Sequence, residues 1–185
     1  GFIPGSINIG LDGNFAMWVG ELIDNLDQAI VIIADDEEKV RESIVRLSRV
    51  GYDHSIGYLQ GGFATWQAAG KVIDKVERIT AHQLSSRYQQ APMPIVDVRK
   101  TSEYQSEHLV AAHSIPLNDL EQQLDQLPKE QAFVVHCAGG YRSMIAASLL
   151  KKKGFHNFVD VIGGFAAIKA TDLAKTDYVC PTTML

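Results

Sequence analysis

Short apolar runs recur along this chain, and each is followed by a polar turn and then by a helical pattern. The segments 30–34 and 133–137 are almost wholly apolar, which is typical of strands buried on both faces of a parallel sheet. Glycines 51 and 154 follow the helical stretches, where a helix end favours a residue that tolerates positive φ. The apolar positions at helical spacing are Ile44, Leu47 and Val50 in the first stretch and Ile145, Ala146, Ala147 and Leu149 in the second.

The same series of features occurs twice, which indicates an internal repeat. Residues 28–34 match residues 131–137, and the Gly-Gly-Phe triplet 61–63 matches the triplet 163–165, with one single-residue gap between the two matches. Strand–helix–strand units of this length imply right-handed crossovers. We therefore predict an α/β protein with two related domains, residues 1–78 and residues 79–185, each a small parallel sheet flanked by helices.

The second copy has an opening segment that the first copy lacks. In this segment Thr80 is positioned to cap a helix that runs through Leu84 to Tyr88, and residues 95–99 form a predicted strand. The first copy matches the second only from residue 108 onward, and this match begins at Gly1 itself. We therefore expect the first domain to be incomplete at its N-terminus and the chain to be a piece of a longer polypeptide.

Composition and charge narrow the class of partner. Of 185 residues, 46% are hydrophobic and 21% are charged, which is ordinary for a globular protein. The net charge of −5 lies entirely in residues 1–78 and disfavours nucleic acid or an anionic membrane as a partner. No apolar run is long enough to span a bilayer, and two cysteines are too few for a disulfide framework. We therefore predict a reducing, cytoplasmic setting.

The strongest chemical signal is Cys137, which lies between a predicted buried strand and a predicted helix. A helix N-terminus and a nearby cation, here Arg142, favour a reactive thiolate. The residues after the cysteine have little or no side chain, so their N–H groups are able to surround one anionic atom. The alternative is a structural cysteine buried beside a glycine turn. The loop residues predicted to bind the sulfur or a sulfur-bound oxyanion are Ala138, Gly139, Gly140, Tyr141, Arg142 and Ser143.

The length of this loop favours sulfur chemistry over phosphate chemistry. The segment from Cys137 to Arg142 is one residue shorter than the phosphate-binding loop of cysteine-based phosphatases. A shorter loop encloses a smaller space, which suits a single sulfur atom held on the cysteine better than a tetrahedral phosphate.

In these features the sequence resembles a tandem pair of rhodanese (sulfurtransferase) domains. The resemblance covers nearly all of residues 79–185, with departures in the connecting segment at Glu107, Val110, Ala111 and His113-Ser114. The matching motifs are Asp97-Val98-Arg99, Glu103-Tyr104, His108-Leu109, Ile115-Pro116-Leu117, residues 137–143, Ala146-Ala147, Leu150, Gly154-Phe155 and Gly163-Gly164-Phe165.

The resemblance implies a mechanism and a set of roles. Cys137 would attack the outer sulfur of a donor, become a persulfide, and pass the sulfur to a nucleophilic acceptor. Arg142 would attract an anionic donor, Arg99 is expected near the pocket, and Asp97 and Glu103 are expected to orient basic groups. A purely structural ion pair between Asp97 and Arg99 is the alternative. No metal or organic cofactor is implied, because the intermediate is covalent.

The first copy lacks the nucleophile, since Ala34 occupies the position of Cys137. The acidic run 35–38 follows it, and Lys39 aligns with Arg142. Consecutive carboxylates at a helix start are more often a solvated first turn than a metal site, so we predict a catalytically inactive, structural domain. The role of this acidic loop stays open. Cys180 is either a reduced tail thiol or a thiol that resolves the persulfide, and this choice stays open as well.

These inferences predict a sulfurtransferase. The donor would be thiosulfate or a low-molecular-weight persulfide, and the acceptor a thiol or cyanide. Tandem domains of this pattern also suggest a sulfide-detoxifying parent protein with an upstream catalytic domain of the metallo-β-lactamase fold. The alternatives are a small-loop cysteine phosphatase or arsenate reductase, and a binding module that relays persulfide without turnover.

Overall fold

The computed structural model describes residues 1–180 of the chain. The chain divides into two compact units, the first from Gly1 to Lys75 and the second from Val76 onward. The division falls three residues before the predicted boundary at residue 78. The reason is that strand β3, Glu77–Ile79, pairs in parallel with β7, Phe158–Val161, and so belongs to the second unit.

The first unit contains a two-stranded parallel sheet and three helices. The two strands pair with each other, and the helices precede, connect and follow them. The elements are α1 Phe15–Leu22, β1 Ile30–Ile32, α2 Glu37–Ser48, β2 Ser55–Tyr58 and α3 Gly62–Ala68. The buried core cluster is formed by Phe15, Val19, Ile32, Val40, Leu47 and Tyr52.

Two predictions for the first unit are wrong. The run 30–34 is not buried on both faces, because Val31 is 57% exposed and β1 has β2 as its single neighbouring strand within residues 1–75. Helix α2 buries Val40 and Leu47, whereas the predicted core positions Ile44 and Val50 are exposed. The core that α1 and β1 build reaches only one side of α2.

Within the described residues, the second unit contains a five-stranded parallel sheet. Its strands lie in the order β3, β7, β6 (Phe133–His136), β4 (Ile95–Asp97) and β5 (Ala112–Ser114). Helix α4 begins after Thr80, whose side chain accepts a hydrogen bond from the amide of Gln83 in a capping box, as predicted. The remaining elements are α4 Ala81–Gln90, β4 Ile95–Asp97, α5 Thr101–Ser106, β5 Ala112–Ser114, β6 Phe133–His136, α6 Tyr141–Lys152 and α7 Gly164–Ile168, with 3₁₀ turns at Leu117–Gln122 and Leu124–Gln126.

The centre of this sheet is buried as the sequence predicted. All four residues of β6 are buried, because β6 is the central strand of the sheet and helices such as α6 pack against it. Helix α6 buries all four of the predicted positions, Ile145, Ala146, Ala147 and Leu149. The α/β fold class, with parallel strands flanked by helices, is therefore confirmed. Across residues 1–180, every helix is too short or too polar to cross a bilayer.

Both units contain the same close contact between a glycine turn and the end of a strand. Gly62 and Gly164 have φ values of +58° and +53°, and each begins a helix. A Cβ atom on Gly62 would lie 2.2 Å from the carbonyl oxygen of Ala34, and one on Gly164 would lie 2.4 Å from that of Cys137. The repeat seen in the sequence therefore corresponds to a repeated arrangement of strand, turn and helix.

Candidate active site

Cys137 lies between the end of β6 and the start of α6, and its side chain is 1% exposed. The amide of Gly140 donates a hydrogen bond to Cys137 Sγ at 3.1 Å. The Cys137 thiol lies 3.6 Å from the hydroxyl of Ser143. The structure thus brings Gly140 and Ser143, two of the six predicted loop residues, to the sulfur atom.

The loop carbonyls at this position are engaged elsewhere. The carbonyl oxygen of Cys137 accepts a hydrogen bond from the amide of Phe165 at 2.7 Å, and that of Ala138 accepts one from Ala166 at 3.0 Å. Gly140 has φ +108°, and this backbone conformation aims its N–H at the sulfur. The sulfur therefore faces an amide at the N-terminus of a twelve-residue helix, where the helix dipole favours negative charge.

Arg142 is held by a carboxylate. Its Nη1 and Nη2 donate to the two oxygens of Glu103 at 2.5 and 2.8 Å, and its side chain is only 16% exposed. The hydrogen bond from Arg142 holds the pKa of Glu103 below its ordinary value, and the same bond raises the pKa of Arg142. Glu103 therefore orients Arg142, and each terminal nitrogen of the guanidinium already donates one hydrogen bond to this carboxylate.

Asp97 and Arg99 form a buried ion pair at the end of β4. Arg99 Nε and Nη2 donate to Asp97 Oδ2 at 2.8 and 2.6 Å, and the Arg99 amide donates to Oδ1. The guanidinium also lies over the ring of Phe165, 4.0 Å from its centroid. Arg99 contributes to a cleft of about 220 Å³ that is lined by Arg99, Ser102, Glu103, Ser106, Glu107, Phe165, Lys169 and Tyr178.

His136 lies on the opposite face of the sheet from Cys137, since successive strand residues alternate. The imidazole stacks against Phe165. Its Nε2 lies 3.9 Å from Asp97 Oδ2 and has no hydrogen-bond partner among residues 1–180. Burial lowers the pKa of His136, because an imidazolium ion would be desolvated there. His136 is thus a packed, neutral residue.

Sequence reasoning missed an ion pair beside the loop. Arg78 of β3 donates from Nε to Oδ2 of Asp160 of β7 at 2.9 Å, and the Asp160 side chain is fully buried. An ideal Cβ atom on Gly140 would lie 4.0 Å from Nη2 of Arg78, so the guanidinium is next to the loop that holds the sulfur. The signal in the sequence was the single carboxylate inside the otherwise apolar strand 158–161.

The corresponding position of the first unit has a different character. Asp36 caps α2 by accepting a hydrogen bond from the amide of Lys39, and the Lys39 ammonium pairs with Asp35 at 2.6 Å. The acidic residues therefore begin a helix and pair with a lysine, next to Ala34 instead of a thiol. In the part of the chain that the structure describes, no three His, Cys, Asp or Glu side chains are grouped closely enough to hold a metal ion.

Comparison with known proteins identifies relatives of this arrangement. The family model for the rhodanese-like domain matches residues 1–69 and 80–171. The chain is 43% identical over 108 residues to the adenylyltransferase and sulfurtransferase uba4 of Ogataea parapolymorpha, a match that covers 55% of this chain but only 26% of that protein. It is 33% identical over 76 residues to the thiosulfate sulfurtransferase GlpE of Coxiella burnetii, covering 41% of this chain and 71% of that protein.

Solved structures show the same fold. The rhodanese-like domain of the Anabaena protein Alr3790 has a TM-score of 0.51 and 30% identity, covering 56% of this chain and 80% of that one. A rhodanese-like domain protein of Staphylococcus aureus has a TM-score of 0.50 and 29% identity, covering 54% of this chain and 97% of that one. Because the family model matches most of its length, the chain belongs to the family of rhodanese-like domain proteins.

Proposed function

We propose that the second unit is a sulfurtransferase in which Cys137 accepts a sulfane sulfur as a persulfide and transfers it to a thiol or to cyanide. The observation that carries this proposal is the Gly140 amide, 3.1 Å from Sγ at the N-terminus of α6. Domains of this family act through a covalent cysteine persulfide, without a metal or organic cofactor. The identity with a thiosulfate sulfurtransferase supports thiosulfate as a donor.

The reaction proceeds in two displacements at sulfur. The Cys137 thiolate attacks the outer sulfur of thiosulfate, a new S–S bond forms at Sγ, and sulfite leaves with the electron pair of the bond that breaks. The acceptor then attacks the terminal sulfur of the persulfide, and the Cys137 thiolate is the leaving group. The Gly140 amide and the dipole of α6 stabilise the negative charge in both steps, and Ser143 lies close enough to contribute.

The first unit takes a structural role in this proposal. Ala34 provides no nucleophile, and the neighbouring Asp35 and Asp36 would repel an anionic donor. Resemblance alone supports the wider context, a cytoplasmic sulfide-detoxifying protein with an upstream metallo-β-lactamase-fold domain. Uba4 is itself named a sulfurtransferase, and the present chain spans about a quarter of its length.

The direct test is sulfur transfer from thiosulfate to cyanide by the whole chain. We expect the wild type to produce thiocyanate and Cys137→Ser to fall to the background rate, because a hydroxyl forms no persulfide. Cys180→Ser is the matched control, since it replaces the exposed cysteine. If Cys137→Ser retains the wild-type rate, the proposal is wrong.

A persulfide relay without small-molecule turnover is the second candidate. The observation that favours it is the similarity to the putative sulfur carrier protein YrkF of Bacillus subtilis, which is 34% identical over 70 residues and covers 38% of this chain and 38% of that protein. Mass spectrometry after incubation with thiosulfate would then show one added sulfur atom on Cys137 that cyanide does not remove. A phosphatase would instead hydrolyse a phosphate ester and leave thiosulfate unconsumed.

A further inference from the structure

Two arginines of the second unit lie at the Cys137 loop, and they are engaged differently. Arg142 has both terminal nitrogens on Glu103 and is 16% exposed. Arg78 uses Nε to pair with Asp160 and is 42% exposed. The positive charge that solvent and an incoming ligand reach most readily at this loop therefore belongs to Arg78.

Strand register places Arg78 on the face that carries the reactive loop. Arg78 is the direct neighbour of Asp160, and Asp160 is the direct neighbour of Val135 in β6. Paired residues of adjacent strands share a face of the sheet, and so do residues two apart in one strand, such as Val135 and Cys137. The side chains that therefore lie on the same face are those of Arg78, Asp160, Val135 and Cys137. This is consistent with the 4.0 Å between Arg78 Nη2 and an ideal Cβ on Gly140.

Asp160 fixes the direction of the guanidinium. Its side chain is fully buried, and its Oδ1 has no hydrogen-bond partner among the described residues, so Arg78 compensates its charge. While Nε is bonded to the buried carboxylate, the terminal nitrogen Nη2 lies next to the loop, 4.0 Å from an ideal Cβ on Gly140. A guanidinium held in this way loses little entropy when it binds an oxyanion.

We propose that Arg78 is the donor-binding residue of this site and receives the oxyanion end of the sulfur donor. The inference rests on the proposed sulfur transfer. We place the sulfonate oxygens of thiosulfate, when its outer sulfur contacts Cys137 Sγ, on the Gly140 side of the loop. Arg78 Nη2 lies on that side, 4.0 Å from an ideal Cβ on Gly140, and a planar guanidinium binds an oxyanion by charge-assisted hydrogen bonds. Arg78 thus selects donors that carry a sulfonate or similar oxyanion next to the sulfane sulfur.

The test separates donor binding from chemistry. A single Arg78→Gln change would leave a buried carboxylate without its partner and would destabilise the fold. The double variant Arg78→Gln/Asp160→Asn removes both charges at once, and Arg78→Lys keeps the charge but not the fork. Arg87→Gln on α4 is the matched control, because Arg87 is equally exposed and also pairs with a carboxylate, that of Glu77.

We expect the KM for thiosulfate to rise about tenfold or more in the double variant, the loss typical of one hydrogen bond to a charged group. The value of kcat at saturating thiosulfate and the KM for cyanide should stay near those of the wild type. Arg78→Lys should raise the thiosulfate KM by a smaller factor, and Arg87→Gln should leave it unchanged. The wild-type KM should also rise with ionic strength more steeply than that of the double variant.

The outcomes distinguish this inference from the proposed function. If the wild type transfers no sulfur, the proposed function is wrong. If the wild type is active and the folded double variant keeps the wild-type KM, Arg78 does not bind the donor. If the double variant does not unfold cooperatively on heating, it is not folded, and the thiosulfate KM of Arg78→Lys becomes the test. An unchanged KM in Arg78→Lys overturns the inference.

Discussion

His136 and Asp97 meet beneath the site without forming a hydrogen bond. Their closest atoms, Nε2 and Oδ2, are 3.9 Å apart, and both side chains are fully buried. The carboxylate is already held by Arg99, so protonation of the imidazole would recover little of the cost of burying a second cation. The folded protein therefore keeps His136 neutral, and stability becomes linked to pH.

The sign of this linkage gives a prediction for acid. Because burial lowers the pKa of His136 below its ordinary value of 6.5, the unfolded chain binds a proton that the folded chain does not. The free energy of unfolding is therefore highest at a pH above the ordinary pKa of 6.5. It falls as the pH drops below that value, by up to about 1.4 kcal/mol per pH unit. Urea unfolding at about pH 7.5 and about pH 5.5 should show a loss of about 1 kcal/mol in the wild type and a smaller one in His136→Met.

His82→Gln provides the control for this measurement. His82 is exposed on α4, so its replacement should leave the wild-type pH dependence in place. An equal loss of stability in His136→Met and in the wild type would show that other groups account for the acid sensitivity.

The two arginines show which parts of the site sequence reasoning reaches. The Cys137 loop was predictable, because strand, cysteine, small residues and Arg142 are contiguous in the chain. The partners of the two arginines were harder to predict, because they are distant in the sequence. Glu103 is 39 residues from Arg142 along the chain, and Asp160 is 82 residues from Arg78. Contacts of this kind depend on strand order and register, which local patterns do not specify.

At the scale of elements, the glycine turn before α7 fixes the position of the Cys137 loop. Two amides in the first turn of α7, those of Phe165 and Ala166, donate to the carbonyls of Cys137 and Ala138. This contact requires that no Cβ stand at Gly164, since such an atom would be 2.4 Å from the Cys137 carbonyl oxygen. Turn and loop therefore hold each other in place across the ends of two neighbouring strands.

Gly164→Ala tests this coupling. The change combines backbone strain at φ +53° with a clash against main-chain atoms, so we expect a loss of stability of at least about 2 kcal/mol and a sulfur-transfer rate reduced tenfold or more. Gly154→Ala is the matched control, because its φ is +87° but its Cβ would meet no atom within 4 Å. That variant should lose about 1 kcal/mol and keep its activity.

A thermal melt and the thiosulfate assay on both variants are sufficient. Equal destabilisation and equal activity would mean that the strain of positive φ alone accounts for the glycine, and that the turn does not support the loop.

The elements themselves were predictable to different degrees in the two units. Strand β6, its helix α6 and the capped helix α4 lie where the patterns placed them, because each packs apolar residues into the core of the second unit. In the first unit the same kind of apolar run, 30–34, predicted a burial that the structure does not show. A periodic pattern reports which residues are able to be buried, and neighbouring elements decide which ones are.

At the scale of the whole molecule, the two units are unequal versions of one design. Strand β6 of the second unit lies between two strands, whereas its counterpart β1 has one neighbour within residues 1–75. Val31 and Ile56, on the two strands of the first sheet, are 57% and 60% exposed. Apolar surface that stays in water contributes nothing to stability, so the first unit has less hydrophobic stabilisation than the second.

Hydrogen exchange measured residue by residue tests this inequality. We expect the amides of β1 to exchange at least about a hundredfold faster than those of β6, which corresponds to an opening free energy lower by about 2.7 kcal/mol. Strands β1 and β6 are matched within one molecule, since each pairs in parallel with the strand that ends at its glycine turn. If the amides of β1 and β6 are equally protected from exchange, the two units open together. The stability of β1 would then not need a further strand beside it. Fast exchange confined to the first unit would instead locate the weak region at the edges of β1 and β2, where an added strand would supply further backbone hydrogen bonds.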